Sequence, residues 1–354
     1  MSASWFRRAA LALACAGAAA TLGACGSGSV VSDLKPTRFI TVGDGFADVG
    51  QNGYVFTINY GPTTYNPDGS WDGLSNFNWV QQLAAYYGVQ LQPASQGCDD
   101  YCWGYAQGHA RVASADTTSG TNAPSIAQQI DTLLARPGFA FDSSGDVVVV
   151  AGGIDDIVEA VNATGISVTT TQTVQAAGKA LGDQVQRLVN SGAKHVLVVG
   201  IYWLGNTPWG HDTSQPWANG TDQSGAINTL STAFNDSVKL ELADTKWAKS
   251  VLFVDAAQFY NLIYNKPENY PLGQSGYPDA TLGYPDPARD PVCATPDATT
   301  CTPSTLVTGA GASNPPDPTR WMFADNLYIT PTFQRMLVND GYLENIYYYF
   351  RYRW

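Results

Sequence analysis

At residues 43–50 the chain reads Gly43-Asp44-Gly45-Phe46-Ala47-Asp48-Val49-Gly50, a segment whose glycines and aspartates favour a turn. It directly follows residues 38–42, whose β-branched and aromatic side chains favour a strand. The same order, a short apolar run followed by a turn and a longer helical stretch, recurs along the chain. Strands that alternate with helices predict a parallel sheet covered by helices on both faces.

The predicted elements form one α/β domain at residues 38–354, with a mainly parallel five-stranded sheet in a three-layer α/β/α arrangement. Strands are expected at residues 38–42, 89–91, 146–151, 195–199 and 251–254, and the unbroken valine run in the third suits a strand buried on both faces. Helices are expected at residues 78–87, 125–135, 174–190, 225–243 and 331–349. Two long loops, at residues 50–74 and 265–319, are predicted to form lids or rims.

The opening segment resembles the block of the SGNH/GDSL ester hydrolases in which the catalytic serine sits on the turn after the first strand. Here that position holds Gly45. A second block is similar to the family stretch whose glycine donates a backbone N–H to the oxyanion, and it reads Tyr105-Ala106-Gln107-Gly108-His109-Ala110-Arg111-Val112. Gly108 retains that glycine, whereas His109 replaces the glycine that follows it in the family.

Two later blocks continue the resemblance in the family's order. Residues 150–156, Val150-Ala151-Gly152-Gly153-Ile154-Asp155-Asp156, resemble the block that supplies an oxyanion-binding asparagine, and the asparagine position holds Ile154. Residues 323–330, Phe323-Ala324-Asp325-Asn326-Leu327-Tyr328-Ile329-Thr330, resemble the block with the catalytic acid and base. Asp325 retains the acid, and Tyr328 replaces the histidine base. The resemblance implies a flavodoxin-like fold with its site at the carboxyl ends of the strands.

The three replacements remove the chemistry that acyl transfer needs, which is a nucleophile, a base and oxyanion donors. Glycine has no nucleophile, and a tyrosine of ordinary pKa near ~10 is a poor base at neutral pH. Loss of nucleophile or base alone costs on the order of 10⁴–10⁶ in rate. We therefore predict a pseudo-hydrolase that lacks standard serine-esterase activity and binds a lipid, an acyl ester or a glycan in the family's cleft.

Two other interpretations of the site stay open. His109 beside Gly108, or His211 after the fourth predicted strand, could activate water as a substitute base with Asp44 or Asp325, which would make the chain an active hydrolase of ester bonds. Alternatively, packing of Ile154 against Tyr328 could fill the cleft and leave a structural protein.

Acidic residues also gather around the predicted site. Calcium would favour such oxygen ligands, but their spacing has no EF-hand character, so neither a metal nor a cofactor is predicted. The residues in question are Asp44, Asp48, Asp155, Asp156 and Asp325.

The N-terminal residues predict export and lipidation. Arg7 and Arg8 precede an apolar run at residues 9–22, too short for a membrane span, which ends in Leu22-Gly23-Ala24-Cys25. The last four residues resemble a bacterial lipobox, which implies a signal peptide at residues 1–24, diacylation of Cys25 and a flexible tether at residues 25–37. Cleavage after residue 24 without lipidation is the alternative. The acyl anchor predicts attachment to the cell envelope. The residue after Cys25 is Gly26 and not aspartate, which by the resemblance to lipoproteins implies the outer membrane.

Four cysteines remain beyond Cys25. Their short spacings favour the local disulfides Cys98–Cys102 and Cys293–Cys301, as expected in an oxidising compartment. A zinc site is the weaker alternative, because neither pair has CxxC-type spacing or a matching histidine pair.

The charge balance excludes nucleic acid as a partner. The chain carries 18 basic and 30 acidic residues, a net charge of -12. Such a surface repels polyphosphate.

Overall fold

The computed structural model describes residues 33–61, 77–272, 280–339 and 345–354. The predicted signal peptide, Cys25 and most of the tether lie outside the described residues. So do residues 62–74 of the first predicted loop and residues 273–279 of the second.

A parallel sheet forms the centre of the domain. Within the described residues it has six strands, in the spatial order β2-β3-β1-β4-β5-β6. They are β1 (Arg38–Gly43), β2 (Gln92–Pro93), β3 (Cys102–Gly104), β4 (Asp146–Ala151), β5 (Val196–Val199) and β6 (Val251–Val254). Every paired neighbour is parallel. If the two-residue edge strand β2 is set aside, the remaining order is second, first, third, fourth, fifth, which is the flavodoxin-like order.

The predicted fold class is confirmed, and the predicted strand count of five is wrong. The structure has no strand at residues 89–91, because pairing begins only at β2 and runs parallel to β3. Strand β3 was missed because it has only three residues, one of them a glycine, which gives too short an apolar pattern to recognise.

Nine helices of four residues or more lie in the described part of the chain. They are α1 (Trp79–Ala85), α2 (Ile126–Ala135), α3 (Ile154–Thr164), α4 (Val168–Asn190), α5 (Pro208–His211), α6 (Ser224–Glu241), α7 (Ala256–Asn265), α8 (Pro331–Asn339) and α9 (Ile346–Arg351). One group packs around α4, which contacts α2, α3 and α6, and a second packs around α8, which contacts α1, α7 and α9. All six residues of β4 are buried between these layers.

Helix prediction was correct in position for four segments and incomplete elsewhere. Capping boxes at Asn78 and Ser125 begin α1 and α2 at the predicted sites. The single helix predicted at residues 331–349 is instead α8 and α9, and residues 340–344 between them lie outside the described residues. Helix α3 was missed because its N-cap residue is a glycine, Gly153, which has no side chain to cap the first turn.

Both predicted disulfides are present. Cys98 and Cys102 have Cα atoms 5.2 Å apart, and Cys293 and Cys301 have Cα atoms 5.6 Å apart, both within the ordinary range. The second bridge belongs to a small apolar cluster that also contains Ile58 and Trp321. None of the described helices is long and apolar enough to cross a membrane.

Candidate functional site

The site predicted from the sequence lies where β1 and β4 end. Gly43 pairs with Ala151, so the turn after β1 and the start of α3 lie side by side. Asp44 joins them, since its Oδ2 accepts the N–H groups of Gly153 and Ile154, each at 2.9 Å. Its Oδ1 accepts the N–H of Phe46 at 3.0 Å. Asp44 is therefore engaged in holding α3 against the turn.

Two aromatic rings close the position of the family's nucleophile. A Cβ atom at Gly45 would lie 2.5 Å from the Tyr328 Oη and 2.7 Å from the Phe56 Cγ, closer than real Cβ contacts come. The centroids of the Phe56 and Tyr328 rings are 5.0 Å apart, and each residue is only 4% exposed. Space for a serine side chain, and for the substrate carbonyl that it would attack, is therefore taken by protein.

The predicted oxyanion glycine is engaged as well. The N–H of Gly108 donates to Asp48 Oδ2 at 2.9 Å, while Asp48 Oδ1 accepts the N–H groups of Gly50 and Gln51. The Phe56 ring also lies directly against Gly108, so that a Cβ there would overlap the ring. In this arrangement the backbone donor points at a carboxylate, and Phe56 occupies the space beside it.

The retained acid and the replaced base serve the structure of their own loop. Asp325 Oδ1 accepts the N–H groups of Leu327 and Tyr328 at 2.8 and 2.6 Å, and its Oδ2 accepts the N–H of Ala298 at 2.9 Å. Burial raises the pKa of Asp325 to about 6. Burial also raises the pKa of Tyr328 well above its ordinary value, which keeps the phenol protonated. Ile154, at the asparagine position, is fully buried.

His109 is the substitute base that lies within the site. Its backbone has a φ of 66°, the left-handed conformation that glycine adopts freely, so the residue occupies a position suited to the family's glycine. The ring packs edge-on against Phe56 at a centroid distance of 5.4 Å. Its Nδ1 is 3.8 Å from Asp155 Oδ1, and about a third of the side chain is exposed.

Asp155, not Asp44 or Asp325, is the acidic neighbour of His109. Burial, followed by repulsion from Asp44 and Asp156, raises the pKa of Asp155 well above its ordinary value. Its Oδ2 is buried without a hydrogen-bond partner. The sequence marked Asp155 only as a potential metal ligand, and nothing in it marked Phe56. Position 56 falls in a long loop outside the four blocks.

His211, the other substitute base, has both ring nitrogens engaged. Its Nδ1 lies 3.0 Å from Asp222 Oδ2, and its Nε2 lies 3.1 Å from the Tyr264 Oη. These contacts join the end of α5 to the loop before α6 and to α7. The structure therefore pairs His211 with residues other than Asp44 and Asp325.

The acidic residues around the site do not form a metal centre. Across the described ranges, no group of three or more histidine, cysteine or acidic side chains is arranged to hold a metal ion. Asp156 instead accepts the N–H of Val112 at 3.0 Å, and burial raises the pKa of Asp156 to about 7.

Comparison with known proteins finds a family match over the part of the chain that holds all four blocks. The family model of the GDSL-like lipase/acylhydrolases matches residues 39–338. Among solved structures, the extracellular lipase of Streptomyces rimosus is 14% identical, with a TM-score of 0.39, over 79% of this chain and 96% of that one.

Two other solved structures are similar to this chain. An acetylxylan esterase of Geobacillus stearothermophilus is 11% identical, with a TM-score of 0.34, over 67% of this chain and 82% of that one. A phospholipase A1 of Streptomyces albidoflavus is 13% identical, with a TM-score of 0.34, over 64% and 82%. No curated protein matches the chain significantly.

Proposed function

Because the chain belongs to the GDSL-like lipase/acylhydrolase family, we propose that it uses the family's fold for binding and lacks the family's serine-esterase chemistry. One observation carries this proposal: Phe56 and Tyr328 occupy the space where a serine at position 45 and its substrate would lie. The change is therefore more than the loss of one side chain. A nucleophile could not be introduced at position 45 without moving a ring.

The remaining groups of the site support the same proposal. Acyl transfer requires a base within hydrogen-bond reach of the nucleophile and free donors aimed at the oxyanion. The N–H of Gly108 donates to Asp48, and the three contacts of Asp325 are all to backbone N–H groups. Each retained family residue is thus engaged in a structural contact, which is the state expected of a fold kept for another purpose.

Restoration of the site tests this proposal. Gly45→Ser, Ile154→Asn and Tyr328→His together should give no esterase activity, because the Phe56 ring would still lie 2.7 Å from the new Cβ. Addition of Phe56→Ala should allow p-nitrophenyl butyrate hydrolysis to be detected, with Gly225→Ser as a control for an added serine. If the triple variant hydrolyses the ester as fast as the quadruple variant, then Phe56 does not block the site.

A second candidate function is favoured by the proximity of His109 to Asp155. Their 3.8 Å separation and the partial exposure of His109 would allow the imidazole to activate a water molecule against an ester, with Asp155 orienting the ring. If this pair acts as a unit, three variants should lose the same fraction of any ester-hydrolysis activity: His109→Ala, Asp155→Asn and the double variant. The matched control is His211→Ala, whose ring contacts Asp222 and Tyr264.

The cellular location belongs to the same proposal. A lipobox-like sequence ending at Cys25 would attach the domain to the outer membrane through acyl chains, with residues 26–37 as the tether. A binding domain held at the cell envelope would meet lipids, acyl esters and glycans, the three ligand classes expected from the family.

A further inference from the structure

We infer that a groove at the C-terminal end of α3, the end away from the family's site, binds an uncharged, hydroxyl-rich ligand, such as a neutral oligosaccharide. The groove lies between the turn that follows α3 and the loop that precedes α6, and has a volume of about 490 Å³. We call it the amide groove, after the residues that line it. The inference rests on the proposed binding function, and it names a site and a ligand class for that function.

The groove has the size of a small-molecule site. Ligand-binding clefts typically range from about 300 to about 1,000 Å³. Two separate segments build it. One is the end of α3 with the turn that follows it, at residues 162–166, and the other is the loop at residues 216–223. The family's site, by contrast, has its nucleophile position closed by Phe56 and Tyr328. A ligand therefore finds more room in the amide groove than at Gly45.

The lining of the groove selects against charge. Asn162, Thr164, Asn219 and Gln223 supply its polar side chains, and no charged side chain lines it. An anion would meet no cation in the groove, and would approach a chain of net charge -12. A cationic ligand would find no carboxylate among the lining residues. The groove therefore suits a neutral ligand.

The chemistry of the amides favours hydroxyl groups. Each amide side chain offers both N–H donors and a carbonyl acceptor, which match the paired donor and acceptor character of a sugar hydroxyl. Asn162 is exposed on α3, and Gln223 is half-buried with its Nε2 donating to the Thr221 Oγ1 at 2.9 Å. The carbonyl oxygen of Gln223 is thus available as an acceptor. An acyl chain would leave these amides unpaired, which disfavours a lipid.

Trp217 adds an unpaired donor to the wall of the groove. The residue is 8% exposed, and its indole N–H is buried with no acceptor. Buried donors in native proteins nearly always have a partner, so a missing acceptor calls for an explanation. The ring packs against Trp209 at a centroid distance of 5.0 Å. Because the indole nitrogen is buried, a ligand hydroxyl could accept its hydrogen bond only if the wall of the groove moves on binding.

Calorimetric titration of the full chain tests the inference. The probes are cellohexaose, xylohexaose and chitohexaose, with hexagalacturonate as the anionic comparator. At least one neutral probe should bind with a Kd of about 1 mM or tighter, and hexagalacturonate should not bind. Asn162→Ala combined with Gln223→Ala should weaken binding about tenfold, because two hydrogen bonds to the ligand are lost.

Matched variants make the result specific to the groove. Gln175→Ala removes an exposed amide on α4 that does not line the groove, and it should leave the Kd unchanged. Trp217→Phe keeps an aromatic ring without the N–H and should also weaken binding, with thermal unfolding used to verify that it folds.

Three outcomes would overturn the inference. They are no binding of any neutral probe, equal binding of hexagalacturonate, and an unchanged Kd in the double variant. In the third case the chain would still be a binding protein, and only the location of the site would be wrong. If the wild-type chain proved to hydrolyse esters, the proposed loss of catalysis would fail while sugar binding in the groove could still be measured.

Discussion

Phe56 is the residue on which the proposed loss of esterase chemistry depends most. Its ring contacts Tyr328 on one side and His109 on another, and it lies against both Gly45 and Gly108. An apolar ring in this position excludes water and substrate together. The two glycines leave the space that the ring needs, so the absence of a side chain at position 45 has a packing reason as well as a catalytic consequence.

Substitution of Gly45 alone should therefore destabilise the protein without making it active. Gly45→Ser brings a Cβ to 2.5 Å from the Tyr328 Oη, and overpacking of this kind costs about 1–3 kcal/mol. Urea denaturation would measure the loss. Gly225→Ser is the control, because a Cβ at position 225 meets nothing within 4 Å. Equal stability of the two variants would mean that the pocket is open.

The buried carboxyl of Asp155 makes stability depend on pH. Asp44, Asp156, Glu159 and Asp116 surround it with negative charge, and His109 is its nearest basic neighbour. Burial and this repulsion raise the pKa of the folded state, so the folded protein retains a proton that the unfolded chain releases. The resulting stabilisation is complete below the unfolded pKa of 3.8 and is lost as pH rises through the raised folded value.

Removal of this carboxyl should flatten the pH profile. The free energy of unfolding of the wild-type protein should fall as pH rises above the unfolded pKa of 3.8, and Asp155→Asn should reduce that fall. The pKa of Asp156 is raised to about 7, so Asp156 also releases a proton as pH rises. Part of the fall in the free energy of unfolding should therefore remain in the Asp155→Asn variant. Asp100→Asn, at an exposed position, is the control. If Asp155→Asn leaves the pH dependence of the free energy of unfolding unchanged, the burial of Asp155 is not its cause.

At the scale of elements, the packing of α4 against α6 depends on two glycines. A Cβ at Gly178 would lie 2.5 Å from the carbonyl oxygen of Phe234, and a Cβ at Gly182 would lie 2.6 Å from the Cβ of Glu241. Both glycines are buried one helical turn apart on α4. They allow the two helices to approach closely on one face of the sheet.

Helix propensity and packing should therefore have opposite effects at these positions. Gly178→Ala should lower the free energy of unfolding by about 1–3 kcal/mol, although alanine is the better helix former. The same substitution at Gly225 in α6 meets open space and should be neutral, or should raise stability by up to about 1 kcal/mol. Thermal unfolding of the two variants checks this. Stabilisation by Gly178→Ala would mean that the helices are not in close contact.

The elements also show which parts of the fold could be predicted from the sequence. Strands β1 and β4 and helices α1 and α2 were predicted because continuous apolar runs and helical periodicity are local signals. Strand β3 depends on its pairing with β1, and β2, at the sheet edge, depends on its pairing with β3. Both strands are too short to carry a pattern of their own. Helix α3 is stabilised at its start by Asp44, more than a hundred residues away, so no local signal marked it.

For the whole molecule, the order of the four blocks was enough to predict the fold class, and the residues at Gly45, Ile154 and Tyr328 predicted that the usual chemistry is absent. The closure of the site by Phe56 and the pairing of His109 with Asp155 could not be predicted. Both are contacts between segments that are distant in sequence. The loop that carries Phe56 lies outside the four blocks that resemble the family, so the resemblance does not predict its path.

Lipidation of Cys25 determines where the whole molecule is held in the proposed function. Cys25→Ala should move the protein from the membrane fraction to the soluble fraction of cells that express the full chain, because the proposed acyl anchor would be lost. Cys15→Ala, within the apolar run of the signal, is the matched control and should leave the protein on the membrane. Membrane attachment that survives Cys25→Ala would contradict the lipoprotein proposal.

A pseudo-hydrolase of the proposed kind contains no activated serine nucleophile. The most direct measurement is the intact mass of the purified wild-type protein after incubation with a fluorophosphonate, which forms a covalent bond with activated serines. We predict no mass increase, since Gly45 has no hydroxyl and Phe56 and Tyr328 fill the space around it. A stoichiometric mass increase on a single serine would contradict the proposed loss of serine-esterase chemistry.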